Sequence, residues 1–219
     1  MMLLSHYSNQ LLHLVVRPAI IAVVLIQFNY ACEKSVLYDY YTFLEGLLSH
    51  DFIFEPGESD FAFKQTLLHL ESMNAVVSCN NEWVEASRGN EYLFKYLICV
   101  MDPFLVAYKV VYNVILHIVS VGLTLTVRLI VQYAQACIEE LLLKECVTSF
   151  VSLSLDTLNN AVMAFVQMKI LEKDNGTLIM NPAFYSIADN LDKLIWLPDK
   201  TIKDHLNCII IDSQAKAKL

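Results

Sequence analysis

The six histidines are the residues of this chain best suited to acid–base chemistry, and their spacing gives none of them a catalytic partner. A histidine that acts as a general base is usually oriented by a nearby carboxylate. His50 is followed directly by Asp51, but adjacent side chains point in different directions, so the two do not form a dyad. We therefore predict structural or solvent-exposed roles for all six, which are His6, His13, His50, His69, His117 and His205.

Short motifs that bind phosphates or activate nucleophiles are also missing from the sequence. There is no G-x-S-x-G motif, and five glycines do not build a glycine-rich phosphate loop. The cysteines form no C-x-x-C pair and lie among apolar residues, which is typical of reduced, buried thiols. We predict no catalytic residue, no cofactor and no metal. The cysteines are Cys32, Cys79, Cys99, Cys137, Cys146 and Cys208.

The composition excludes disorder and disfavours nucleic acid as a partner. Hydrophobic residues make up 56% of the 219 residues and charged residues 17%, so the chain has ample apolar material for a core. The net charge of −8 repels a phosphate backbone, and no basic face compensates for it. The chain therefore has a large core or an apolar surface that meets a partner or a lipid.

The hydrophobic periodicity predicts a mainly α fold. We expect a helix over Leu3–Val16, a second one over Pro18–Ala31 with Pro18 in its first turn, and a third over Ser35–Leu48. The predicted caps of later helices are Ser59 or Asp60, Asp156, and Asn181 followed by Pro182.

A helix followed by a β-hairpin is predicted twice, over Asp60–Ala86 and Asp156–Met180. Asn80-Asn81 forms the turn of the first hairpin, and Asn175-Gly176, a strong hairpin signal, forms the turn of the second. The sequence thus predicts an internal repeat of two small winged-helix-like units. Because the shape alone does not specify a function, the repeat leaves the function open.

The middle of the chain contains 18 residues without a charge, Val110–Val127, between Lys109 and Arg128. This length reaches the lower limit of a membrane-spanning helix, about 17 to 25 residues. Asn113 and His117 lie inside the run, and we favour a buried helix or helix pair. At a spacing of four residues, Asn113 and His117 lie on one helix face as a satisfied polar pair.

Three segments resemble a known enzyme family. "HYSNQLLHLVVRPAIIAVVL" resembles the region that follows the catalytic domain in glycerol-3-phosphate and dihydroxyacetone-phosphate acyltransferases. "LLSHDFIFEPGESDFAFKQTLLHL" and "LNNAVMAFVQMKILEK" resemble later parts of the same family, and the resemblance is weakest over Leu116–Gln132. In the first segment the matching residues are Tyr7, Asn9, Gln10, Leu11, Leu12, His13, Arg17, Pro18 and Ala19.

The resemblance implies that catalysis belongs to a domain upstream of this chain. In the family a histidine followed five positions later by an aspartate acts as general base. Here the residues five positions after the histidines are Leu11, Pro18, Glu55, Asn74, Gly122 and Ile210. Residues 1–34 would be apolar helices that follow the missing acyltransferase domain, and residues 35–219 the C-terminal helical region.

The resemblance also implies partners. These are the upstream domain, membrane lipid, and, only through that domain, acyl-coenzyme A and dihydroxyacetone phosphate.

The chain ends in Ala217, Lys218 and Leu219, a variant of the serine-lysine-leucine peroxisomal address. An import receptor reads such a tripeptide at a free C-terminus. Within the family, the dihydroxyacetone-phosphate branch is peroxisomal and begins ether-lipid synthesis. The resemblance and the tail together imply a peroxisomal, membrane-associated protein of that branch.

Two alternatives remain open on the sequence alone. One is an independent helical interaction module unrelated to acyl transfer. The other is a small membrane protein that uses Pro18–Cys32 and Val110–Val127 as its spans.

We predict that the isolated chain does not transfer an acyl group to dihydroxyacetone phosphate, because it has neither the histidine–aspartate pair nor a phosphate-binding motif. Purified chain is mixed with labelled palmitoyl-coenzyme A and dihydroxyacetone phosphate, with an intact enzyme of the family as the positive control. Turnover above the blank that is lost when any one histidine is replaced would contradict the prediction.

Overall fold

The computed structural model describes residues 2–80, 82–182, 187, 190–191, 201–203 and 205–206, and only the backbone of residues 2–11. The mainly α prediction is confirmed. The helices are α1 Met2–Gln27, α2 Lys34–Leu47, α3 Ser59–Ser72, α4 Glu91–Ser120, α5 Val127–Leu143 and α6 Leu155–Gln167, with a 3₁₀ turn at Phe150–Leu153. The strands are β1 Ala31–Glu33, β2 Val76–Cys79, β3 Trp83–Ala86, β4 Leu171–Asp174 and β5 Thr177–Met180.

The chain divides into two compact units, Met1–Asp102 and Pro103–Leu219. In the first unit the order is α1-β1-α2-α3-β2-β3, and the three strands form an antiparallel sheet in the order β1-β3-β2. Val84, fully buried on the central strand, pairs with Cys32 on one side and Ser78 on the other. This is the element order of a winged helix, as the hairpin pattern predicted.

The second unit repeats this order with a reduced sheet. Helices α5 and α6 are followed by the β4–β5 hairpin, as α2 and α3 are followed by β2–β3. The amide of Leu178 on β5 donates to the carbonyl of Leu125 at 2.8 Å, so the segment before α5 takes the place that β1 has in the first unit. The predicted repeat of a helix and a hairpin is confirmed in both units. It also includes the helix before each predicted copy, α2 in the first unit and α5 in the second.

The first two predicted helices are one helix, so the break expected at Pro18 is wrong. Pro18 lies inside α1, where it cannot donate to the carbonyl of Leu14. Leu14 is 75% exposed, which leaves the freed carbonyl within reach of water. The next seven residues, Ala19 to Leu25, are buried, and their burial stabilises the helix beyond the proline.

The turn of the second hairpin follows the prediction, whereas two helix caps do not. Asn175 and Gly176 have φ angles of 46° and 86°, as a two-residue type I′ turn requires. The side chain that caps α6 is Ser154, which accepts from the amide of Thr157 at 3.4 Å, so Asp156 lies inside the helix. Helix α3 has Glu58 at its cap position without a side-chain hydrogen bond. The helix predicted after Asn181 falls mostly outside the described residues.

Helix α4 contains most of the charge-free run. It is the one helix in the described part of the chain that is long and apolar enough to cross a bilayer, and 78% of its most apolar 18-residue window is buried. A buried core helix has the same length and composition. Because α4 ends at Ser120 and α5 begins at Val127, the run Val110–Val127 is not one continuous helix.

Two glycines offer a matched test of the backbone conformation. Gly176 has φ of +86°, and Gly46 lies in α2; in neither case does an added Cβ meet another atom within 4 Å. We expect Gly176→Ala to lower the free energy of unfolding by about 1 kcal/mol, because alanine disfavours positive φ. Gly46→Ala should raise it by about 0.5 kcal/mol, because alanine is the better helix former. Urea denaturation followed by far-UV circular dichroism measures both, and equal shifts of the same sign would contradict the turn assignment.

Candidate functional site

The Arg17 cluster, which consists of Arg17, Tyr41 and Glu45, joins α1 to α2. Nη1 of Arg17 donates to Oε1 of Glu45 and to the hydroxyl of Tyr41, each at 3.0 Å. Tyr41 and Glu45 are four residues apart on α2, so one turn of the helix presents both to the guanidinium. Tyr41 is fully buried and Glu45 is 5% exposed. The cluster is therefore an ion pair largely withdrawn from water.

Electrostatics keep the Tyr41 phenol protonated. Burial, and then the negative charge of Glu45, raise the pKa of Tyr41, and they outweigh the guanidinium of Arg17, which acts in the opposite direction. The neutral hydroxyl accepts the hydrogen bond from Arg17. The charge-assisted bond to Oε1 offsets part of the cost of removing Glu45 from water, while its buried Oε2 has no hydrogen-bond partner among the described residues. The cluster holds no activated nucleophile, and its geometry serves packing.

Aromatic side chains of the segment after α2 cover the cluster. The guanidinium carbon of Arg17 lies 5.5 Å from the ring centroid of Phe54, a cation–π contact. The ring of His13, one turn before Arg17 on α1, meets Phe52 edge-on at 5.5 Å. Two of the three segments that carry the family resemblance therefore contact each other here. Sequence reasoning missed this cluster because its members come from two separate helices, α1 and α2.

Two carboxylates flank the turn that follows these aromatics. Glu58 is hydrogen-bonded to Glu55, and this bond together with the negative charge of Glu55 raises the pKa of Glu58. The two side chains are exposed, on either side of Pro56-Gly57. Two exposed glutamates without a histidine or a nucleophile beside them supply no acid–base machinery.

The histidines occupy scattered positions. His50 and His69 are exposed, His117 lies in α4, and Nδ1 of His205 lies 3.1 Å from Nζ of Lys144. Within the described ranges, no three histidine, cysteine, aspartate or glutamate side chains come close enough together to hold a metal ion. The side chain of His6 is outside the description. The predicted targeting residues Ala217, Lys218 and Leu219 also lie outside the described residues.

The cysteines that the structure describes are free thiols, but only part of the burial prediction is right. Cys32 and Cys137 are buried, and burial raises the pKa of both thiols, that of Cys32 to about 11 and that of Cys137 to about 12. Cys79 and Cys146 are half-buried, and Cys99 is exposed on α4. The high pKa values keep the two buried thiols protonated and unreactive at neutral pH.

Cavities in each unit are lined by residues from distant segments. In the first unit one cavity of about 370 Å³ lies beside Lys34, Tyr38 and Lys64, and another of about 530 Å³ beside Tyr30, Arg88 and Phe94. Each of these two also has acidic side chains in its lining, so neither has a clear charge preference. A third, of about 310 Å³, lies in the second unit beside Asn113 and His117.

The described residues form a mainly α chain with two helix–hairpin units. Residues 1–174 match the family model described as "Glycerol-3-phosphate acyltransferase C-terminal region". The chain belongs to this family. The match includes the whole Arg17 cluster and both helix–hairpin units as far as β4.

The similar curated proteins are all dihydroxyacetone phosphate acyltransferases. The rabbit protein (Oryctolagus cuniculus) is 28% identical over 227 residues, covering 98% of this chain and 30% of the relative. The Bos taurus protein is 28% identical over 187 residues, covering 80% of this chain and 25% of the relative. The Homo sapiens protein is 27% identical over 193 residues, covering 83% of this chain and 26% of the relative. The chain thus spans less than a third of the length of each.

We predict that Arg17→Met lowers the free energy of unfolding by about 3 kcal/mol, because it leaves Glu45 buried without its cation. The matched control is Lys64→Met, which breaks the exposed Lys64–Asp60 pair and should cost less than about 1 kcal/mol. The double variant Arg17→Met/Glu45→Met should recover part of the loss. Urea denaturation of the four proteins measures this, and equal costs for the two single variants would refute a buried pair.

Proposed function

We propose that this chain is the non-catalytic C-terminal portion of an acyl-CoA:dihydroxyacetone-phosphate O-acyltransferase that acts in ether-lipid synthesis. The observation that carries the proposal is the alignment of 98% of the chain with 30% of a dihydroxyacetone phosphate acyltransferase. The sequence supports the non-catalytic part, because none of its histidines is followed five positions later by an aspartate. Acyl-coenzyme A and dihydroxyacetone phosphate would therefore meet the upstream acyltransferase domain.

In this proposal residues 1–34 follow the catalytic domain and residues 35–219 form the accompanying helical region. The first unit exposes large apolar side chains that suit packing against another domain, among them Leu14, Ile53 and Phe61, which are 75%, 84% and 61% exposed. The Arg17 cluster would keep α1 and α2 fixed beneath such an interface. The chain would thus act as a rigid partner surface for the catalytic domain.

Association with membrane lipid is a further part of the proposal. The apolar composition and helix α4 support it by length and hydrophobicity alone. Acyl-coenzyme A, one of the two substrates implied for the family, carries an acyl chain, so a place at a bilayer surface would serve its delivery. Extraction of the expressed chain with carbonate separates a peripheral protein, which is released, from one with a spanning helix, which is retained.

The address for this enzyme would be the C-terminal tripeptide Ala217-Lys218-Leu219, read by the peroxisomal import receptor. Leu219 offers an apolar side chain beside the free carboxylate, and Lys218 offers a positive charge. The residues before it, Ser213 to Lys216, contain no large apolar side chain that would anchor the tail in a core. This part of the proposal selects the peroxisomal branch of the family.

We expect a fluorescent protein fused to the N-terminal side of the last twelve residues, Cys208 to Leu219, to enter peroxisomes. Colocalisation with a peroxisomal marker measures import. Deletion of Leu219 should make the fluorescence diffuse, because the receptor loses both the leucine and the position of the carboxylate. The matched control is Lys216→Ala, which lies outside the tripeptide and should leave import intact. Diffuse fluorescence from the intact fusion would rule out the peroxisomal address.

A further inference from the structure

The C-terminal half of helix α4 is mostly apolar or aromatic, but one of its faces carries a line of polar side chains. Lys109, Asn113, His117 and Ser120 follow one another at intervals of four, four and three residues, the spacing of a single helix face. Lys109 is 2% exposed and Asn113 fully buried, whereas Ser120 is exposed. The line therefore leads from the core of the second unit to its surface.

A cavity of about 310 Å³ opens at the outer end of this line. The described residues that line it are Asn113, Leu116, His117, Ser120 and Lys203, and most of the wall is apolar. Its volume is at the lower end of the range for small-molecule sites. Because Lys203 comes from a distant part of the chain, the cavity is a product of the tertiary structure.

The two polar residues singled out in the sequence differ in their hydrogen bonding. Nδ2 of Asn113 donates to the carbonyl of Lys109 at 3.1 Å. Nε2 of His117 is buried and has no hydrogen-bond partner among the described residues. A satisfied pair is therefore wrong for His117. Since buried polar atoms are nearly always paired, this nitrogen at the cavity wall is available to bind a molecule in the cavity.

The charges around the cavity specify the kind of molecule. Lys203 is cationic, and burial lowers the pKa of His117, so the imidazole is neutral at neutral pH. None of the described lining residues is acidic, in a chain whose net charge is −8. One lysine beside a neutral imidazole suits a single negative charge, whereas a phosphate dianion is usually met by several cationic donors.

We propose that this cavity binds a small amphiphile with a carboxylate head and a short hydrocarbon tail. The carboxylate pairs with Nζ of Lys203 and accepts a hydrogen bond from Nε2 of His117, and the tail lies against Leu116. A 150 Å³ cavity holds benzene, so a cavity of this size has room for a tail of roughly eight carbons. The site is separate from acyl transfer and does not depend on the function proposed above.

Octanoate is the probe for this site, and isothermal titration calorimetry on the full 219-residue chain measures its binding. We expect saturable binding of one octanoate per chain. Octanol, which has the tail without the charge, and inorganic phosphate, which has charge without a tail, should each bind at least tenfold more weakly. These two ligands separate recognition of the whole amphiphile from simple apolar or anionic adsorption.

Lys203→Met and His117→Leu should each weaken octanoate binding at least tenfold. Because Lys203 is exposed, we expect Lys203→Met to fold. If His117→Leu does not fold, Lys203→Met alone still tests the proposal. The control is Lys173→Met, at an exposed lysine on β4 of the same unit, which should leave binding unchanged. The proposal is overturned by any of three results: no saturable octanoate binding, equally tight binding of octanol or phosphate, or equal weakening by Lys203→Met and Lys173→Met.

Discussion

A charge that leaves water must be met by an opposite charge, and the packing of the first unit depends on how Arg17 satisfies this constraint. Its guanidinium reaches from α1 to Glu45 on α2 and shares the same nitrogen with the hydroxyl of Tyr41. A buried pair of this kind adds little net stability compared with an apolar pair, but breaking it is costly. The pair therefore fixes how α1 packs on α2. The aromatic rings of Phe52 and Phe54, which follow α2, pack against His13 and Arg17 of α1.

The same element order occurs in both units, but their sheets differ. In the first unit β1 pairs with the central strand over three residues, whereas in the second a single hydrogen bond at Leu125 stands in that place. The helices are less variable: α2 and α5 both lead into a short break and then a helix that ends in a hairpin. The chain thus contains two copies of one helical scaffold with different sheets.

Polar groups are few in the core of this apolar chain, so their partners indicate what each group does. Oε1 of Glu45 accepts from Arg17 at 3.0 Å, whereas Oε2 of the same carboxylate is buried without a hydrogen-bond partner among the described residues. Nε2 of His117 is also buried without a partner, but it lies at a cavity that Lys203 also lines. The cavity beside His117, rather than the missing partner alone, is what distinguishes it from Glu45.

The sequence by itself determined the features that depend on neighbouring residues. Asn175-Gly176 specified the second hairpin because few other residue pairs tolerate two successive positive φ angles, and the apolar periodicity specified α2 to within a residue. The family resemblance was likewise carried by short stretches of sequence. Tertiary structure decided what depended on distant residues. Burial of Ala19 to Leu25 carried α1 through Pro18 against the local preference, and Arg17 met Glu45 28 residues along the chain. The cavity needed Lys203 and His117 in one lining, which no local pattern encodes, because only chain folding brings such separated residues together.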